Sequence, residues 1–421
     1  MTGSALSLRW VVNPPVGSVA DAGTEIGVLL EVTESSDTLR EAAPLRWAVA
    51  QVGALRGAHA ASLNDGLRAA FDVAPPRDDA RWLGPAGPCP LADVLADPRA
   101  RGPVRSLAAA LRAGAEALAG SAPGHAKRLL VALHSALNEP YEDILAAAAA
   151  LHEHSIGVDV LCTHPSADLG LLTRLANMDG GEVLLPDPGR AGALGEMLAA
   201  RIDLLRAQRV LDVRLTLHPS PLLQPLRLFR VAPSALFLRA VRPEPDHREV
   251  VIDVGPMAPG ARHAFLLTAQ LPRRRIGRYR ILEIIASHAT DEAAARVDVL
   301  HQCTLDPAEA AIVEAEVRSA QERVEGAAWV EEVAKAYADG DARRVSVTLD
   351  RLVRYFAVLT QHTAMEQTAA LRIGFLRTGT LSRTDLNRLR RLAAHAASPD
   401  ARRTLPAGRA ETLPPGAVAP P

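Results

Sequence analysis

Two histidines and a cysteine stand where a ligand could bind. His134 directly follows the apolar run KRLLVAL, and Cys162 and His164 follow the run IGVDVL. Both runs are predicted to be parallel strands, whose carboxyl ends form the ligand-binding edge of an open α/β sheet. Imidazole and thiolate groups bind zinc. Such a metal needs three or four convergent ligands and the chain has no spacing motif for them, so ordinary loop histidines are favoured and a rebuilt zinc or copper site is the alternative.

Two further motifs could suggest catalysis. The sequence HEH at His152 to His154 is predicted to lie on a helix, where residues two apart point about 200° away from each other and cannot share a metal. Ser135 beside His134 has the types of a nucleophile and a base, but no third group that would orient the base can be identified. Both motifs therefore favour a polar surface, and the protein is not expected to be an enzyme.

Composition restricts the partners and the compartment. The chain of 421 residues has a net charge of −1, which argues against nucleic acid or an anionic membrane as the main partner. The basic run PRRRIGRYR (272–280) is predicted to be a solvated hairpin turn. The three cysteines are far apart and odd in number, and neither a signal peptide nor a membrane span is recognisable. A cytoplasmic location is expected.

Apolar strands alternate with amphipathic helices between residues 45 and 206, which predicts a mostly parallel sheet with helices on both faces. Residues 74–103 are rich in Pro, Gly and Asp and are predicted to hold at most one short strand, at 80–83. The predicted helices are Ser62 to Val73 with Ser62 as its capping residue, Val104 to Leu118, Glu142 to His154, Asp168 to Met178, and Ala191 to Gln208.

The apolar period is two after residue 209, which predicts an antiparallel β-sandwich. Strand-like segments also precede the α/β unit, at 6–12 and 25–33, so the unit is expected to be inserted in the sandwich. Helices are predicted from Asp306 past Glu332, from Ala342 to Ala370, and after Thr384. The predicted domains are 1–43 and 209–305 for the sandwich, 44–208 for the α/β unit, 306–398 for the helices, and 399–421 for a disordered tail.

The order of these pieces resembles the von Willebrand factor A domain, a Rossmann-like α/β fold, in the bacterial form flanked by a β-sandwich and a helical tail. The resemblance is sharpest from Lys127 to Asp187, in the segments KRLLVAL, HSIGVDVL, LLTRLA and GGEVLL. They resemble the central strand, the next strand, the helix and the last strand of that family, in the same order.

The resemblance implies a site at the sheet edge where the family binds a hard divalent cation. There a D-x-S-x-S loop, a threonine and a Thr-Asp-Gly turn supply carboxylate and hydroxyl oxygens. The matching positions hold other residues, namely Gln51, Gly53, Leu55, Arg105, Leu133, His134 and Ser135. Every expected ligand is missing, and Arg105 would oppose a second positive charge. We therefore predict a metal-free pseudo-site and no cofactor.

The resemblance further implies an adaptor that binds other proteins. Bacterial domains of this kind often work beside MoxR-type AAA+ ATPases in multi-protein systems, so such an ATPase is the expected partner class. The alternative is a metal- or ligand-dependent binding protein that uses a rebuilt site at His134 and His164. The predicted partner-binding edge consists of Gln51, Gly53, Leu55, Arg105, His134, Asn138 and His164.

Overall fold

The computed structural model describes residues 6–14, 16–18, 23–34, 42–55, 57–73, 78–97, 102–120, 125–178, 180–186, 192–208, 210–221, 223, 226–232, 235–241, 249–288 and 291–397. Residues 399–421, for which disorder was predicted, lie outside these ranges. No helix in the described part of the chain is long and apolar enough to cross a membrane.

A six-stranded sheet forms the centre of the α/β unit, in the order β6-β5-β4-β7-β8-β9. Every neighbouring pair is parallel except β5 and β6, as predicted for a mostly parallel sheet. The strands are β4 (Leu45–Val52), β5 (Asp79–Gly84), β6 (Gly87–Pro90), β7 (Ala126–Leu133), β8 (Gly157–Cys162) and β9 (Val183–Leu184).

Helices cover both faces of this sheet. They are α1 (Gly57–Asp72), α2 (Leu91–Ala96), α3 (Leu107–Ala119), α4 (Tyr141–Glu153), α5 (Leu169–Asn177) and α6 (Ala193–Arg206). Alternate residues of β7 point to opposite faces: Leu129 and Val131 pack with α3, α4 and α5, whereas Leu130 and Ala132 pack with α1, α2 and α6. A strand section that is buried on both faces is apolar, which explains the run LLVAL that follows Lys127 and Arg128.

Two predictions for this unit were wrong. Helix α1 begins at Gly57, so Ser62 is a buried residue inside the helix and not its cap; the preceding alanines have a high helix propensity and extend it. Residues 74–103 contain β5, β6 and α2 instead of one short strand. The two strands form an antiparallel hairpin, and α2 buries Leu91, Val94 and Leu95.

The remaining strands form two five-stranded sheets that share one hydrophobic core. One sheet has the order β1-β3-β14-β11-β12 and the other β13-β10-β15-β16-β2. The strands are β1 (Leu6–Asn13), β2 (Val16–Ser18), β3 (Gly23–Glu34), β10 (Val210–Pro219), β11 (Leu226–Ala232), β12 (Leu236–Val241), β13 (Val250–Met257), β14 (Arg262–Pro272), β15 (Gly277–His288) and β16 (Asp291–Thr304).

Strands from both sides of the α/β unit lie in one sheet, because β3 pairs antiparallel with β14 from Gly23 to Thr33. The prediction of a hairpin turn at the basic run 272–280 was wrong, because the strands on either side of the run belong to different sheets. It connects the two layers instead.

The C-terminal region consists of α7 (Pro307–Ala310), α8 (Ala315–Ala338), α9 (Ala342–Val358), α10 (His362–Thr378) and α11 (Arg383–Ala397). Two predicted long helices are each divided. The first is interrupted before Glu314, whose N–H donates to the Asn13 side chain at 2.8 Å. The second is interrupted at Thr360, where φ is +57°, a value incompatible with a continuing helix.

Candidate functional site

Three loops meet at the carboxyl edge of the parallel sheet. The N–H of Val104 donates to the Gln51 carbonyl at 2.7 Å, and the N–H of His134 donates to the Val52 carbonyl at 2.8 Å. Gly53 has φ of +86°, and a Cβ atom at this position would lie 2.7 Å from Cβ of Ser135. The backbone of the loop after β4 therefore packs directly against the Ser135 side chain in the loop after β7, and there is no space for a side chain at position 53.

The residues of the first loop are bound within the protein. The Gln51 side chain donates from Nε2 to the Gly53 carbonyl at 2.9 Å. Leu55 is half-buried and packs against the apolar cluster formed with α1 and α6. Two of the positions that match metal ligands of the von Willebrand factor A family therefore hold other side chains. Gln51 is hydrogen-bonded to the backbone of its own loop, and Leu55 makes an apolar contact.

His134 lies in the centre of the edge. Its Nδ1 is 2.6 Å from Oγ1 of Thr163, which follows β8. Burial lowers the pKa of His134 to about 4, and the nearby His59 adds to the lowering. The ring is therefore neutral at pH 7. Its Nε2 is buried and has no hydrogen-bond partner within the described part of the chain.

His164 and Cys162 have separate partners. Nδ1 of His164 lies 3.3 Å from the N–H and 3.0 Å from the hydroxyl of Ser166. The Cys162 thiol is buried, donates to the His164 carbonyl at 3.6 Å, and has a pKa that burial raises. The three side chains that could have formed a metal site therefore each have a different hydrogen-bond partner, namely Thr163 for His134, the His164 carbonyl for Cys162 and Ser166 for His164.

Glu139, which the sequence interpretation missed, closes the N-terminus of α3. Its two carboxylate oxygens accept from the N–H of Leu107 at 2.6 Å and of Ala108 at 2.7 Å. The Ser106 hydroxyl accepts from the N–H of Ala109 at 3.1 Å. A carboxylate is favoured there by the helix dipole. No local signal could have identified Glu139, because it lies 32 residues from Leu107 in the sequence.

Arg105 and Asn138 are the exposed polar residues of the predicted edge. Arg105 directly precedes Ser106, the N-cap of α3, and forms no ion pair with the described residues. The structure therefore brings the three loops together, as predicted, but it leaves mainly these two side chains accessible.

The donor set does not fit a hard divalent cation, which requires several convergent oxygen ligands. The amide of Gln51 is bonded to Gly53, His134 presents nitrogen, and both oxygens of Glu139 are bonded to backbone N–H groups. Among the described residues, no group of three or more His, Cys, Asp and Glu side chains could hold a metal.

We expect the unfolding temperature to stay the same when MgCl₂ or MnCl₂ replaces KCl at constant ionic strength. Only a ligand that binds the folded state raises this temperature, and the edge has no suitable oxygen cluster. Scanning calorimetry measures the effect. A rise of several degrees that disappears in the Gln51→Ala variant would show that a cation does bind there.

Comparison with known proteins identifies the fold. The sequence matches no protein-family model and no curated protein. The structure is similar to a von Willebrand factor type A protein from Catenulispora acidiphila, with a TM-score of 0.68 and 13% identity over 93% of this chain and 97% of that one. It is also similar to the ArnB paralog VWA2 from Sulfolobus acidocaldarius, with a TM-score of 0.50 and 10% identity over 93% and 99% of the two chains. The chain has the von Willebrand factor type A fold.

Proposed function

We propose that this protein is a non-catalytic adaptor that binds other proteins through the carboxyl edge of its parallel sheet. In this proposal Arg105 replaces the cation of metal-dependent relatives and pairs directly with a carboxylate of the partner. The observation that carries the proposal is the exposed guanidinium of Arg105, which pairs with no carboxylate among the described residues and lies beside three closely packed loops. Such a pair is a charge-assisted hydrogen bond with bidentate geometry.

The surroundings of Arg105 support an acidic partner. The positive end of α3 is already neutralised by Glu139, so the partner's carboxylate would meet the Arg105 side chain and not the helix N–H groups. The exposed Asn138 adds an amide that can donate or accept at the rim. Ser135 and His134 are packed against Gly53 and Thr163, which supports binding over nucleophilic catalysis.

The proposal extends to the setting of the protein. We place it in the cytoplasm, in a bacterial multi-protein system whose AAA+ ATPase, of the MoxR type, is the proposed partner. The α/β unit is proposed to be an insertion in a β-sandwich that holds it, with the strands before and after the unit paired in one sheet. This partner class rests on the family resemblance, and the experiment below is independent of it.

We expect partner binding to survive EDTA and to weaken about tenfold, or about 1.4 kcal/mol, in the Arg105→Glu variant. The tagged full-length protein is used to isolate partners from native lysate, and the affinity of the recovered partner is then measured for each variant. Arg227→Glu is the matched control, because it makes the same charge change at an exposed position of β11, far along the chain from the edge.

The competing surface is the exposed apolar face of α10, where Ile373 is 55% and Leu376 is 59% accessible. A Leu376→Glu substitution tests this surface without removing any part of the fold. If Leu376→Glu abolishes binding and Arg105→Glu leaves it intact, the proposed edge interface is wrong. Loss of binding on addition of EDTA would also contradict it.

A further inference from the structure

A cavity of about 750 Å³ lies at the junction of the α/β unit, the two five-stranded sheets and the C-terminal helices. Residues of α5 and α6 form one wall, residues of β11 to β14 form a second, and residues of α8 and α11 form a third. This volume is typical of small-molecule sites, which occur preferentially between domains. The cavity is separate from the carboxyl edge described above.

Positive charge dominates the described lining. It contains three carboxylates, Glu182, Asp253 and Glu331, and twice as many guanidinium groups. These belong to Arg174, Arg201, Arg230, Arg239, Arg390 and Arg391. The His263 ring also lines the cavity, and its pKa is lowered to about 4 by burial and by the neighbouring arginines. An excess of cations in a recessed site favours an anionic ligand.

The carboxylates already have partners. Arg201 pairs with the buried Asp159 at 2.6 Å and with Glu182 at 3.3 Å. Glu331 pairs with Arg390 at 2.8 Å. Asp253 pairs with Arg214, which is not among the described lining residues, at 2.9 Å. The three acids of the described lining are therefore already paired, and the arginines outnumber them.

Arg174, Arg239 and Arg391 line the cavity and form no ion pair with a described carboxylate. Arg174 donates to the Tyr141 hydroxyl at 3.2 Å, and Arg239 is exposed. The Arg239 side chain donates to the Val251 carbonyl, which is neutral. Nε of Arg391 is buried and has no hydrogen-bond partner in the described part of the chain. A buried guanidinium nitrogen without an acceptor is costly, so an acceptor from a ligand would satisfy it.

The cavity also has an apolar part. Leu185, Phe237 and Leu238, all half-buried, line it together with the buried Val254. A fully hydrated inorganic ion would leave these side chains in contact with water. A ligand with an oxyanion head and an apolar body would contact both the arginines and this surface.

We propose that the junction cavity binds a small amphipathic organic anion, whose carboxylate or phosphate head pairs with Arg239 and Arg391 and whose body lies against Phe237 and Leu185. Such a ligand contacts all three parts of the molecule, and its binding stabilises their arrangement because it binds only the folded state. The proposal is independent of the adaptor function.

The test uses the fluorescent anion 8-anilinonaphthalene-1-sulfonate and its uncharged analogue N-phenyl-1-naphthylamine on the full-length protein. The anion is expected to bind at one site, and the Arg239→Gln/Arg391→Gln variant to bind it at least about tenfold more weakly. The variant Arg343→Gln, changed at an exposed position of α9, is expected to bind like the unchanged protein. Each single variant is measured as well, so that a fold defect in the double variant does not decide the result.

Competition with benzoate and with phenyl phosphate at constant ionic strength identifies the head group, since the better competitor carries the preferred oxyanion. Displacement of the probe by either compound supports the proposal. The proposal is wrong if the uncharged analogue binds with equal affinity, or if neither competitor displaces the probe. It is also wrong if the Arg239→Gln, Arg391→Gln and double variants all bind the anion as tightly as the unchanged protein.

Discussion

The Asp159→Ala variant is expected to lose about 3–5 kcal/mol of unfolding free energy, because it leaves a largely buried guanidinium without its main partner. The Asp159 side chain is fully buried on β8, and its Oδ1 accepts from two nitrogens of Arg201, at 2.9 Å and 2.6 Å. The same oxygen accepts from the backbone N–H of Glu182 at 2.9 Å. One substitution therefore removes the ion pair and a bond that holds the start of β9.

Urea denaturation measures this loss, followed by tryptophan fluorescence, to which Trp47 and Trp82 of the α/β unit contribute together with Trp10 and Trp329. Asp298→Ala is the control, because Asp298 is half-exposed and pairs with the exposed Arg280. Exposed pairs contribute at most about 1 kcal/mol. If the two variants lose equal amounts of unfolding free energy, the buried ion pair does not contribute the predicted stability.

The Gly195→Ala variant is expected to lose about 2–3 kcal/mol, because it forces helices α1 and α6 apart. A Cβ atom at Gly195 would lie 2.2 Å from the Ser62 carbonyl oxygen, and one at Gly66 would lie 2.5 Å from Cα of Gly195. The N–H of Gly195 also donates to the Ser62 hydroxyl at 2.9 Å. The clash is with backbone, so no rotamer change can relieve it.

The Gly374→Ala variant is the matched control for this substitution. Gly374 lies within α10, and a Cβ atom there would meet no atom within 4 Å. Because alanine has the higher helix propensity, this variant is expected to gain about 0.5–1 kcal/mol. The two glycine substitutions should therefore change the thermal unfolding midpoint in opposite directions. A loss in both, or a gain in both, would contradict the packing argument.

The sequence was sufficient to predict most of the helices and strands. The apolar run of β7 indicated a strand buried on both faces, and period-two segments indicated the antiparallel sheets. Gln51, Gly53 and Leu55 were predicted to lie at the edge, and the structure places them there. These inferences succeeded because hydrophobic periodicity is local and records directly which faces of an element are buried.

Only the tertiary structure decided which groups neutralise each other. Glu139 reaches the N-terminus of α3 across 32 residues, and Arg201 reaches Asp159 across 42. Neither pairing leaves a local pattern, because it depends on how separate elements pack. The same holds for the division at Thr360 of the helix that was predicted from Ala342 to Ala370.

The sequence by itself determined the α/β and antiparallel character of the chain and the lack of carboxylate and hydroxyl groups at Gln51, Gly53 and Leu55. The tertiary structure decided that Arg105 is exposed while His134 is half-buried, and that arginines from the α/β unit, the sheets and the C-terminal helices line one cavity. The physical reason is that composition and periodicity are properties of neighbouring residues. Burial and charge compensation are instead set by contacts between residues far apart in the chain.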